Sequence, residues 1–119
     1  MKTDCFIHWI TQLLIWHWET KSYAAHVALD GAYKSFKKNI DLYVETYQGK
    51  NPRLDMPTFD ECPTYVSLKN YPEKSLWFKS YLLIDLVQDI DKSQDLDLLA
   101  IRDDMLTDLN HLTYLLTLD

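Results

Sequence analysis

Hydrophobic positions recur at steps of three and four in four separate stretches of the chain, the spacing that lines one face of an α-helix. The first stretch, Asp4 to Trp18, carries Phe6, Ile10, Leu13, Leu14 and the Trp16-His17-Trp18 cluster. Apolar residues cover most of its circumference, relieved by His8, Thr11 and Gln12, so the helix should be covered on more than one side. A short link, Glu19-Thr20-Lys21, comes next. Thr20 or Ser22 suits the N-cap of a second helix that should run to Gln48 and stop at Gly49. The third should open at Asn70-Tyr71-Pro72-Glu73, with proline in the first turn. It should carry Trp77, Tyr81, Ile84 and Val87 on one stripe and Leu76, Leu83, Leu86 and Ile90 on another. The fourth, Gln94 to Leu118, repeats Leu98, Ile101, Met105, Leu109, Leu112 and Leu116.

Between the second and third helices all four prolines (Pro52, Pro57, Pro63, Pro72) fall within residues 49–72. That stretch reads as a long connection, with a short helix around Thr58–Glu61. A crossover at this point lets the third helix run parallel to the second. The expected fold is therefore all-α, a ferritin-like four-helix bundle formed by residues 1–119 as one domain.

Composition narrows the function. Of 119 residues, 47% are hydrophobic and 25% charged, the balance of a folded domain. Twelve basic residues against 18 acidic ones give a net charge of −6, which repels nucleic acid and anionic membrane. The apolar run Phe6–Trp18 is too short to span a bilayer and lacks a small-residue cleavage site, so it is expected to be a buried helix. Cys5 and Cys62 make no disulfide framework and are expected to be reduced, in a cytoplasmic setting (a host cytoplasm if the chain is phage-encoded). No glycine-rich phosphate loop, Cys-His pairing or serine elbow is present, so nucleotide hydrolysis and acyl transfer have no support.

The second helix holds the most informative chemistry. With His26 at zero and about 100° per residue, Asp30 falls near 40°, Asp41 near 60° and Glu45 near 100°. One imidazole and three carboxylates thus share about a quarter of the circumference, beside Tyr33, Ile40 and Val44. That donor set suits iron, and also manganese or zinc. Asp41 and Glu45 stand one turn apart and could chelate together, whereas His26 and Asp41 are separated by roughly 22 Å of helix. They can meet only between two chains, if two copies of this helix pack antiparallel about a two-fold near Tyr33–Lys34, where Gly31 and Ala32 permit close approach. His17 flanks the same turn as His26, so a helical hairpin sets both at similar height.

At these residues the chain resembles a known group. The run His17-Trp18 through His26, then Asp30, Asp41 and Glu45, is similar to the Dps-type miniferritins, and to small phage-encoded relatives sharing the His-Trp stretch and a Tyr-Leu-Leu-rich C-terminus, here Tyr114-Leu115-Leu116. The likeness is specific over residues 13–49 and topological beyond. It implies a ferroxidase centre shared across a two-fold dimer, with His17, His26 and Asp30 from one chain and Asp41 and Glu45 from the other. The His17–His26 interval is shorter than usual in that family, and no lysine-rich tail precedes the first helix, so DNA binding is not carried over.

Blander readings stand beside this one. Taken singly, each of these residues is more often a solvated helix position, and as a set they could serve an interface as hydrogen bonds or ion pairs. In that alternative the bundle is a non-catalytic interaction or sequestering protein that binds a host protein or a small ligand. His17 between two tryptophans is equally a core histidine, and His8 reads as core or interface. Asp108 and His111, three apart on the fourth helix, resemble a di-iron ligand pair but find no matching pair on the third. The Asp85–Asp97 stretch reads as an exposed helix end and turn.

Overall fold

A computed structural model describes residues 1–55 and 64–118. The short helix expected around Thr58–Glu61, together with Cys62, lies outside the described residues. Four α-helices and no strands are found among those described: α1 (Asp4–Glu19), α2 (Tyr23–Lys50), α3 (Tyr71–Ser80) and α4 (Leu96–Leu115). A 3-10 turn, Leu68–Asn70, leads into α3, which continues through a π-helical turn, Tyr81–Asp85, and a 3-10 turn, Leu86–Asp89. No helix among the described residues is long and apolar enough to cross a membrane.

Local chemistry sets the helix ends. Ser22 is extended, and its Oγ accepts from the Ala25 N–H at 3.2 Å, closing the N-terminus of α2. The turn before it is held by the Ser22 N–H donating to Thr20 Oγ1 at 3.1 Å. α2 passes through Gly49 and stops two residues later than Gln48. The stop falls at Asn51, whose backbone and side-chain N–H groups both reach the Tyr47 carbonyl at 3.0 Å, and Pro52 behind it disfavours another helical residue.

Residues that meet across the bundle give the helix directions. On α1 and α2, His17 meets His26, Trp9 meets Phe36 and Phe6 meets Tyr43, an antiparallel pair. On α1 and α3, Trp16 meets Tyr71, Trp9 stacks on Phe78 and Phe6 meets Tyr81, again antiparallel. Hence α2 and α3 run parallel to each other. α4 is antiparallel to both, since Asn39 meets Asp108 and Lys50 meets Asp95, while Tyr71 meets Thr113 and Arg102 meets the Leu82 carbonyl.

The core is aromatic at its centre. Trp9, Trp16, Phe6, Phe36, Tyr43 and Phe78 are fully buried, in edge-on and stacked contacts that fill the interior. On α4 the expected stripe is buried from Leu98 through Ile101, Met105 and Leu109 to Leu112. On α3 the burial differs from the expected stripes. Phe78 and Leu82 face the core with Tyr81 and Leu86, while Leu76, Leu83 and Ile84 are exposed. The buried positions, Tyr71, Lys74, Phe78, Tyr81, Leu82 and Leu86, keep steps of three and four, so the core-facing stripe lies between the two expected ones and includes the charged Lys74. Arg102 donates to the Leu82 carbonyl at 3.2 Å, satisfying from α4 a backbone group of the π-helical turn.

Candidate metal centre at the hairpin end

The α1–α2 hairpin brings His17 and His26 together. Their rings stack at 3.9 Å between centroids, 23° from parallel. Each imidazole bonds the other residue's backbone: His17 Nδ1 to the His26 carbonyl and His26 Nδ1 to the His17 carbonyl, both at 3.1 Å. A carbonyl can only accept, so each Nδ1 carries the proton and donates. In the neutral ring the lone pair is then on Nε2. This is how metal-binding histidines are commonly fixed, one ring nitrogen held by a carbonyl and the other presented. The short interval between the two histidines is just enough for a tight hairpin that closes this reciprocal pair.

Asp30 stands one turn along α2 from His26, half-buried, with its Oδ2 3.0 Å from Lys34 Nζ. The Lys34 hydrogen bond holds its carboxyl below the ordinary range, and the nearby imidazoles act in the same direction. It is thus an anion wherever the histidines are neutral. Asp41 and Glu45 lie further down the same face, both exposed and without hydrogen bond or ion pair among the described residues. Asp41 lies on the wall of a groove of about 820 Å³ between α1 and α2, whose apolar floor includes Ile7, Ile10, Ile40 and Val44.

Within one chain these five residues form two separate groups, His17–His26–Asp30 and Asp41–Glu45. Among the described residues no three His, Cys, Asp or Glu side chains gather as a metal-binding group. Among those residues the bundle interior offers no other donor set, because its buried polar side chains are only His8, Gln12 and Lys74. Asp108 is engaged across the α2–α4 contact, where its Oδ2 accepts from Ser35 Oγ at 2.6 Å and Asn39 Nδ2 at 3.1 Å. The acidic stretch before α4 is similarly drawn onto α2, with Lys50 bonded to Asp95 at 3.1 Å and to Asp97.

Sequence reasoning missed a second polar cluster. Lys74 on α3 is buried and donates to His8 Nε2 at 3.1 Å and to the Thr64 carbonyl at 3.0 Å, with its charge 5.0 Å from the centre of the Trp77 ring. His8 stacks flat on Tyr65 at 4.3 Å. Burial first, then the Lys74 charge, lower the His8 pKa to about 4. Beside it Gln12 forms a two-way bond with the Val66 backbone, at 3.0 and 2.9 Å, and Trp16 Nε1 joins the same carbonyl at 2.9 Å. These side chains fasten the returning connection to α1. The only hint in the sequence is a set of polar residues on the inward face of an otherwise apolar helix.

No curated protein and no solved structure matches the chain. Residues 17–116, which begin at the first of the paired histidines and span most of the bundle, match a family of unknown function, DUF5856. The chain belongs to that family.

Proposed function

We propose that the chain is a ferritin-like, Dps-like protein that binds Fe(II) as substrate and oxidises it with oxygen or peroxide, at a site shared between two copies. The observation that carries this reading is the reciprocal pairing of His17 and His26. Both Nδ1 atoms are committed to carbonyls, so both Nε2 atoms are left clear of those bonds, with the Asp30 anion one turn along α2.

The donor chemistry fits a divalent first-row metal. Imidazole with carboxylate suits iron, and equally accepts manganese or zinc, and anionic oxygen ligands favour Fe(III) over Fe(II). Asp41 and Glu45 supply that charge from the same face of α2, unpaired within their own chain among the described residues. Since α2 separates the two groups by roughly 22 Å, the site needs the histidines of one copy and the Asp41–Glu45 pair of another. The parallel course of α2 and α3 supports the ferritin-like assignment, as does the break in helix between Lys50 and Leu68 among the described residues.

Anaerobic Fe(II) titration followed by exposure to oxygen tests the reading. Saturable binding and rapid oxidation are expected in the natural chain, with both lost in an Asp41→Ala/Glu45→Ala variant. An unchanged oxidation rate in that variant contradicts the reading. It would leave the bundle as an interaction or sequestering protein.

A further inference from the structure

On the α4 side of α2 lies a cleft whose walls are apolar and whose charge sits at one end. Ala28, Gly31 and Ala32 of α2 face Leu112, Leu115 and Leu118 of α4 across about 400 Å³, within the range of small-molecule sites. The cleft is elongated, since the first and last α2 residues on its wall, Ala24 and Ser35, are separated by roughly 16 Å of helix. It lies beyond the edge of the His26–Glu45 arc, with Gly31 about 100° further round α2 than Asp30. Gly31 and Ala32, which the sequence offers for the approach of a second copy, line this cleft instead.

Gly31 is costly where it stands. Inside a helix glycine is less stable than alanine by roughly 1 kcal/mol. Nothing within the chain requires it, because a Cβ at this position would meet no atom within 4 Å. A side chain there would enter open space on the wall of the cleft. The effect of glycine is to keep that wall clear.

Asp108 supplies the charge. Its Oδ2 accepts from Ser35 Oγ at 2.6 Å and from Asn39 Nδ2 at 3.1 Å, two neutral donors that orient the carboxylate without neutralising it. This half-buried group makes no ion pair among the described residues, and its Oδ1 accepts no hydrogen bond from them. Among those residues no lysine or arginine lines the cleft. His111, also on the wall, is exposed and makes no hydrogen bond or ion pair among the described residues. A fully apolar occupant would strip water from the carboxylate and leave it unpaired, and an anionic one would be repelled. A hydrocarbon with a cationic head satisfies both the walls and the acid.

We propose that this cleft binds a small cationic amphiphile, a hydrocarbon chain carrying one ammonium group. The ammonium donates to Asp108 Oδ1, and the chain lies past Gly31 between the alanines of α2 and the leucines of α4.

Titration with n-octylammonium, 1-octanol and octanoate, followed by amide NMR shifts, tests the site. Octylammonium should bind saturably, with shifts centred on Gly31 and Leu112. Its dissociation constant should be at least about tenfold below that of octanol, and octanoate should bind more weakly than either. Asp108→Asn keeps an acceptor for Ser35 and Asn39. It should weaken octylammonium at least about tenfold and leave octanol unchanged. Gly31→Leu fills the wall with a better helix former, so both ligands should weaken at least about tenfold while thermal stability holds or rises. Equal binding of octylammonium and octanoate, shifts centred away from the cleft, or unchanged octylammonium binding in either variant overturns the proposal. None of these readouts depends on metal or on a second copy, so failure of the iron reading leaves them intact.

Discussion

Two histidine clusters share helix α1 and have opposite chemistry. His8 faces inward and is 1% exposed, and its Nε2 is taken by Lys74. His17 sits on the outward side of the hairpin, and the His26 carbonyl holds its Nδ1. The residue type is the same, but the nitrogen that is used differs, and so does the access. At His8 the accepting nitrogen is consumed by an ammonium, and the ring stacks on Tyr65 and meets Trp77 edge-on, so the cluster ties α1 to α3 and to the connection before it. At His17 it is Nδ1 that the fold commits, and Nε2 makes no hydrogen bond among the described residues, beside a second imidazole held in the same way. Which ring nitrogen the fold commits separates a structural histidine from a candidate ligand.

The sharpest way to break this comparison is to remove each histidine in turn. His8→Ala should cost about 3 kcal/mol in chemical denaturation, because it leaves a cavity and takes a partner from a buried ammonium. A loss below about 1 kcal/mol would show that the inner cluster is not structural. Metal binding per folded chain should be unchanged in that variant.

Acid sharpens the contrast next. The unfolded His8 takes up its proton near pH 6.5, while the folded one resists until about pH 4. The unfolded state therefore binds more protons in this window. The stability due to neutral His8 is fully present above pH 6.5 and declines as pH falls towards 4, by about 1 kcal/mol per unit. His8→Gln, which keeps an acceptor for Lys74, should flatten this part of the profile. An equally steep profile in His8→Gln would place the titration elsewhere.

The smallest effect on folding belongs to the outer pair. His17→Ala or His26→Ala should cost no more than about 1.5 kcal/mol, the scale of one partly exposed hydrogen bond. Either change should nevertheless weaken Zn(II) or Fe(II) binding at least about tenfold by titration calorimetry. If binding survives both changes, the paired rings are only a hairpin clasp.

Much of this was legible in the sequence, and the rest was hidden for definable reasons. The stripe from Leu98 to Leu112 on α4 and the proline-opened start of α3 obey local rules, and both are found. His17 and His26 could be placed at one height because a short link between antiparallel helices leaves little choice. Their hydrogen bonds could not be foreseen, because both acceptors are backbone carbonyls that carry no side-chain signal. Lys74 and Gln12 were hidden because their partners, Thr64 and Val66, lie in a connection without periodicity. Phe78 and Leu82 were missed because their stripe runs through Lys74, a charged residue that hydrophobic patterning assigns to the surface.

The central claim is that two copies each supply half of one iron site, and subunit mixing tests it most directly. A His17→Ala/His26→Ala chain and an Asp41→Ala/Glu45→Ala chain should each be inactive in Fe(II) oxidation. Unfolded together and refolded as an equal mixture, they should regain roughly a quarter of the natural activity. Half of the dimers are then mixed, and each mixed dimer holds one intact site of two. A mixture as inactive as its parents, from chains shown to form mixed dimers, would contradict the shared site.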